Sequence, residues 1–292
     1  MSEMSRNLPG EPVTAIPGAC DSHLHFYDSA YPAAPNALVH PDDATPADYR
    51  KFQQRLGLER LVVVQPSTYG LDNRCQLDSM VQFGDSARGV MVVETSVSDA
   101  ELQRLTNLGV CGARFHMLPG GAVPWSMLDD VAARIARFGW HIQLQLNGRE
   151  LADRRDQLLR LPVDVVIDHV GRFMPPVDVS DPSFSALIAI ATSGTGWVKL
   201  SAPYESSVGP VTDAGGDHAD LDPLIDALVA AAPERLLWAT NWPHPGQSKH
   251  PSPQTLAAQL ARWVPDADAR RQILVDNPDR LYFNNEPSRR TR

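Results

Sequence analysis

Residues 112–146, GARFHMLPGGAVPWSMLDDVAARIARFGWHIQLQL, contain one complete strand–helix–strand unit. Gly112–His116 is a short, largely apolar run of strand length. Ser126–Phe138 repeats its apolar residues at helical spacing, and Gly139 follows where that helix must stop. His141–Leu146 then returns to alternation. The same unit recurs on both sides. Strand-like runs lie at Ala19–His25, Leu61–Gln65, Gly89–Val93, Val163–Asp168, Trp197–Ser201 and Leu236–Thr240. Helix-like segments lie at Pro46–Leu56, Ser98–Leu108, Glu150–Leu161, Pro182–Ser193, Leu221–Ala231 and Pro253–Trp263, with Gly57 and Gly109 as further stops.

Strands that alternate with helices build parallel βαβ units. Eight of them in 292 residues predict an α/β protein of the (β/α)8 TIM-barrel type, which typically takes about 250 residues. An open doubly wound sheet is disfavoured because no Gly-x-Gly-x-x-Gly turn follows the first strand. The expected organisation is an arm over residues 1–17, one barrel domain over 18–284, and a flexible tail over 285–292. Ala267–Asp276 and the NPDRLYF segment are expected to close against the barrel.

The formal net charge of −9 argues against nucleic acid or an anionic membrane as partner. No run approaches the roughly 18 apolar residues of a membrane span. The N-terminus has no leader pattern, and three scattered cysteines, Cys20, Cys75 and Cys111, suit reduced thiols, so a cytoplasmic location is expected. A monomer and a homo-oligomer are both compatible with the sequence.

In such a barrel the site lies at the C-terminal ends of the strands, and polar residues collect there. Strand one ends in His23-x-His25, strand two in Gln65-x-Ser67 and strand four in Arg114-x-His116. Strand five carries Gln143-x-Gln145-x-Asn147, strand six Asp168-His169, strand seven Lys199-x-Ser201, and strand eight runs into Asn241-Trp-Pro-His244. Spacing of i, i+2 puts both members of a pair on one face. Any one pair alone could be structural. Their coincidence at one end points to a solvated pocket, because unpaired burial costs a few kcal/mol per group. Asp168 precedes His169 and is expected on the opposite face, in a structural role.

GACDSHLHFYD, GARFHMLPGG, VVIDHVGR and LLWATNWPHP occur in the order found in the amidohydrolase superfamily. From about Gly18 to Asn284 the chain resembles the branch that contains pyrone-dicarboxylate lactonase and sugar-lactone enzymes. Metal-dependent members bind divalent ions through His-x-His, a Lys or Glu near strands four or five, histidines after strands five and six, and an Asp after strand eight. His23, His25 and His169 match. Arg114 and His116, Gln145 and Asn147, and Asn241 depart from that set. The resemblance therefore implies chemistry without a metal or other cofactor. In related lactonases the strand-eight Asp is the expected base for water, and an amide cannot replace it.

The chain is also similar to the sugar-acid lactone isomerases of this branch through its Asn-Trp-Pro-His ending, GARFHMLPGGAVPW and WVKLSAPYE. That similarity implies an acidic sugar lactone as ligand and intramolecular acyl transfer as reaction. On this reading His169 or His116 shuttles the proton, while His23, His25 and Asn241 polarise the carbonyl or hold the oxyanion. Arg114, Arg172 and Lys199 are candidates for the substrate carboxylate. Gln145, Asn147, Ser201 and Tyr204 are candidates for its hydroxyls, and His244 for orienting its neighbours. Three other readings stay open: a lactonase whose base is His169 or His25, a barrel that binds an acidic ligand without turnover, and a metal-dependent enzyme with an irregular site.

Overall fold

The computed structural model describes residues 16–209 and 216–284. The expected arm, apart from Ile16 and Pro17, and the whole expected tail lie outside the described residues. Eight strands, β1 (Cys20–Leu24), β2 (Arg60–Val64), β3 (Ala87–Met91), β4 (Val110–His116), β5 (His141–Gln145), β6 (Val165–Ile167), β7 (Gly196–Leu200) and β8 (Leu236–Trp238), pair in chain order. Every pair is parallel. The barrel closes just beyond β8, where His25 N–H donates to the Trp242 carbonyl and Asn241 N–H to the His23 carbonyl, both at 2.9 Å.

Around the strands lie α1 (Pro46–Leu56), α2 (Arg74–Met80), α3 (Asp99–Asn107), α4 (Leu128–Ile135), α5 (Leu151–Arg160), α6 (Pro182–Thr192), α7 (Asp222–Ala231), α8 (Pro253–Trp263) and α9 (Ala267–Arg271). Their boundaries follow local chemistry. Thr45 and Asp48 form a capping box at the start of α1, Pro46 occupies its first turn, and Gly57 ends it at φ 79°. Helix α2 escaped the sequence reading. It has only seven residues and no side-chain cap, and five of the seven are buried, so no polar face marks it. The Ser126–Phe138 segment is α-helical only at its centre, with 3-10 turns at Trp125–Met127 and Ala136–Phe138. The C-terminal segment does close the barrel. The Asn277 side-chain amide donates to the Pro233 and Leu236 carbonyls at 2.8 and 2.7 Å, and the chain continues in π-helical turns to Phe283.

Alternation along the strands divides the interior. Leu61 and Val63 pack outward against the helices, whereas Val62, Val64, Val90, Val166 and Leu237 point into the barrel with Trp197, Leu281 and Tyr282. That apolar layer fills the N-terminal half. The polar strand ends are thereby confined to the C-terminal half.

Candidate active site

A pocket enclosing about 90 Å3 opens among the C-terminal strand ends, and His25, Arg114, His116, Gln145, His169 and Asn241 line it together. A larger cavity of about 400 Å3 lies at the opposite end, beside Trp197, Arg235 and Arg280. It holds none of the polar strand-end residues, and the chemistry of this fold belongs to the C-terminal face.

Hydrogen bonds fix the protonation of two pocket histidines. Arg114 extends from β4 and donates through Nη1 to the Gln65 carbonyl at 2.6 Å and through Nη2 to Gln145 Oε1. The same Oε1 lies 3.1 Å from His116 Nδ1. An amide oxygen only accepts, so His116 carries its proton on Nδ1 and leaves Nε2 as a free base. Burial and the charge of Arg114 hold His116 down at about 4, so it is neutral at neutral pH. His25 Nδ1 is 2.7 Å from the Val64 carbonyl and must donate to it. Burial and Arg114 lower its pKa to about 3.

Beneath the pocket floor sits a second polar layer with no exposure to solvent. Lys199 Nζ donates to the Ser22 carbonyl at 2.8 Å and to Gln143 Oε1 at 2.7 Å, and lies 3.4 Å from His23 Nδ1. The Gln143 amide, turned by Lys199, donates through Nε2 to Asp168 Oδ2 at 3.2 Å and faces His23 Nδ1 at 3.3 Å. His23 Nε2 is 3.2 Å from His25 Nε2, which has no proton to give because His25 Nδ1 holds it. His23 Nδ1 also lies 3.3 Å from Asp168 Oδ1, a carboxylate oxygen that only accepts. Asp168 completes the layer, 3.7 Å from Lys199 and 3.9 Å from Arg114. Burial lowers Lys199 to about 8, against the opposing pull of Asp168.

His169 reaches the pocket through unusual backbone. His169, Val170, Gly171 and Arg172 have φ of 55°, 54°, 79° and 51°, one turn of left-handed helix. Such backbone costs roughly 1–2 kcal/mol at each non-glycine residue. It is held by Gly171 N–H to the Asp168 carbonyl and Arg172 N–H to the His169 carbonyl, and by close packing: a Cβ at Gly148 would lie 2.4 Å from the Gly171 carbonyl oxygen. His169 Nδ1 meets Ser201 Oγ at 2.9 Å. Asn241, at φ 58°, donates from Nδ2 to the Tyr204 hydroxyl at 2.8 Å, and that hydroxyl lies 3.2 Å from His244 Nδ1. Asn241 Oδ1 takes no hydrogen bond and is the face left for a ligand.

Several sequence expectations need correction. His23 and Lys199 are wholly buried below the floor and do not line the pocket, so neither meets a ligand there. Asp168 points inward rather than to the opposite face, because it continues the inward alternation of Val166 in extended backbone, and it is His169 that the left-handed turn brings round to the pocket. Asn241 presents Oδ1 as an acceptor and keeps one Nδ2 hydrogen beyond the one given to Tyr204, the donor expected for an oxyanion. Asn147 caps the turn at Gly148–Glu150 through Arg149 N–H, and Arg172 is engaged with Glu205. Ser201, Tyr204 and His244 stand behind His169 and Asn241. Six lining residues were missed: Tyr27, Val39, Pro66, Thr68, Glu205 and Pro245. Tyr27 continues the His23-x-His25 alternation by one more step, and Glu205 ends the WVKLSAPYE stretch already singled out.

His23, Asp168 and His169 place one donor atom each within 4.8 Å of one another, a spacing that could hold a metal ion. Their chemistry does not fit one. Asp168 is already flanked by two buried cations, and β5 and β8 supply only neutral amides.

A (β/α)8 barrel with a His-x-His strand end and a His after β6 defines the class. Residues 20–283 match the amidohydrolase family, and the chain belongs to it. It is 34% identical to a D-galactarolactone isomerase of Agrobacterium fabrum over 97% of both chains. It is 36% identical to a 2-pyrone-4,6-dicarboxylate hydrolase of Comamonas testosteroni, covering 95% of this chain and 94% of that one. A solved apo structure from Agrobacterium tumefaciens superposes with a TM-score of 0.85 at 34% identity, over 93% of this chain and 98% of the other. Among the described residues no helix is long and apolar enough to cross a membrane.

Proposed function

We propose that this enzyme acts on an acidic sugar lactone and isomerises it, converting D-galactaro-1,5-lactone to the 1,4-lactone without a metal. One observation carries the choice of isomerisation. At the end of β8, where hydrolysis would need a carboxylate to activate water, stands Asn241, whose free Oδ1 accepts a hydrogen bond but takes no proton. The nucleophile must then bring its own reactivity. A tethered hydroxyl does so, since intramolecularity replaces much of what an activated water supplies.

In this reaction the 4-hydroxyl gives its proton to His116 Nε2 as its oxygen bonds to the lactone carbonyl carbon. The oxyanion of the tetrahedral intermediate is stabilised by the Asn241 Nδ2 hydrogen that is not given to Tyr204, while Arg114 holds the substrate carboxylate. When the bond from the carbonyl carbon to the 5-oxygen breaks, that oxygen takes the proton back from the His116 imidazolium. Asn241 Oδ1 holds a substrate hydroxyl in register. His169, backed by Ser201, is the second acid–base group within the pocket and the alternative proton carrier.

The test is a proton NMR time course on freshly formed D-galactaro-1,5-lactone. Growth of the 1,4-lactone without open-chain acid supports isomerisation. Accumulation of galactarate would instead support the second reading, a lactonase, which the identity to the Comamonas hydrolase favours and for which His116 or His169 would serve as base.

A further inference from the structure

Among the described residues Glu205 is the only carboxylate that lines the pocket. It ends the short 3-10 turn Pro203–Glu205 that follows β7. Its Oε2 accepts from Arg172 Nε at 2.8 Å, and its Oε1 has no hydrogen bond from any described residue. With both side chains about one-fifth exposed, the pair stands where the pocket meets solvent. Arg114 lies buried in the same pocket and is, among the described residues, the one permanent cation lining it. The pocket is thus electrically polarised, with a guanidinium from β4 and a carboxylate after β7. Its other free polar atoms, His116 Nε2 and Asn241 Oδ1, are acceptors as well.

We propose that Glu205 determines the substrate class of this site, admitting lactones that combine one carboxylate with free hydroxyls and rejecting planar dicarboxylates that carry no hydroxyl. The proposal rests on the lactone reading above. A hydroxylated lactone acid sends its single carboxylate to Arg114 and donates O–H hydrogens to Glu205, His116 and Asn241, so each acceptor is satisfied. A pyrone dicarboxylate has no hydrogen to donate. With one carboxylate on Arg114, its second is left among acceptors and beside the like charge of Glu205. Arg172 holds Glu205 through a single nitrogen, which restrains the carboxylate without using up its acceptor capacity.

The experiment is calorimetric binding of D-galactaro-1,4-lactone and of 2-pyrone-4,6-dicarboxylate to the full-length protein and to its Glu205→Gln variant. The expected result is opposed shifts: the variant binds the hydroxylated lactone about tenfold more weakly and the pyrone dicarboxylate about tenfold more tightly. Glu205→Asp, which keeps the charge, is expected to restore the wild-type preference. Because the first shift and the second have opposite sign, a damaged fold cannot imitate the pair. Equal shifts in one direction, no shift, or a wild-type protein that binds neither ligand would overturn the proposal. A wild-type protein that prefers the hydroxylated lactone but does not isomerise its 1,5-form would sink the isomerase reading and leave the assignment of Glu205 standing.

Discussion

Lowering the pH from 7 to 5.5 asks the folded state to keep six imidazoles neutral against a rising proton concentration. His25, His141 and His244 are pushed to about 3 and His116 to about 4, while His23 and His169 are lowered well below the usual value, in every case by burial first. Their folded pKa values lie below the unfolded value near 6.5, so the unfolded chain binds the extra protons and stability falls as pH falls. Each group costs slightly over 1 kcal/mol across this interval, and six together cost roughly 7 kcal/mol. Asp21 acts in the other direction. Burial raises its carboxyl to about 6, above the unfolded value, so its protonation favours the folded state and returns about 1 kcal/mol. The net loss of about 6 kcal/mol is comparable to the whole stability of many domains, roughly 5–15 kcal/mol. Urea unfolding followed by circular dichroism at the two pH values, at constant ionic strength, reads it directly. A loss below about 2 kcal/mol would mean that no more than one or two of these histidines are held neutral, and the reasoning would fail.

His116→Gln removes the free Nε2 base and should lower kcat by about 100-fold or more with little change in KM; steady-state kinetics with unchanged kcat would move the proton to His169. In the unmodified enzyme burial holds His116 neutral well below its usual range, at about 4, so kcat/KM measured against pH should show no titration limb near 6.5 while the protein stays folded. A limb near 6.5 would contradict that assignment. Lys199→Met leaves the buried Asp168 charge with only the more distant Arg114, and thermal or urea denaturation should show a loss of about 3–5 kcal/mol. Exhaustive chelation followed by assay should leave the turnover rate unchanged, since the donor set does not suit a divalent ion; a rate restored by added zinc would refute this.

The barrel was legible because each strand is a short apolar run bounded by a helix signal, and Gly57, Gly109 and Gly139 stop their helices with φ of 79°, 94° and 73°. Periodicity also located the pocket: seven of the polar strand-end residues, His25, Ser67, Arg114, His116, Gln145, His169 and Asn241, line it. Depth was not legible. His23 and His25 share a strand face, yet one side chain lies beneath the floor and the other opens into the pocket. Lys199 carries a charge that the sequence alone places at the surface of a site, whereas an internal network of Ser22, Gln143 and Asp168 holds it in the core. Alternation held at Asp168, two residues after the inward Val166, and failed at His169, where a left-handed turn begins that no residue pattern in VVIDHVGR announces beyond Gly171. Tautomers were equally out of reach, since they depend on which carbonyl or amide each ring meets.

The most direct measurement of the central claim is turnover of D-galactaro-1,5-lactone in water enriched in oxygen-18, with the product analysed by mass spectrometry. Acyl transfer to the substrate's own 4-hydroxyl predicts a 1,4-lactone that carries no heavy oxygen. Heavy oxygen in a newly formed carboxylate, at the rate of lactone consumption, would show that water is the nucleophile and would contradict the account.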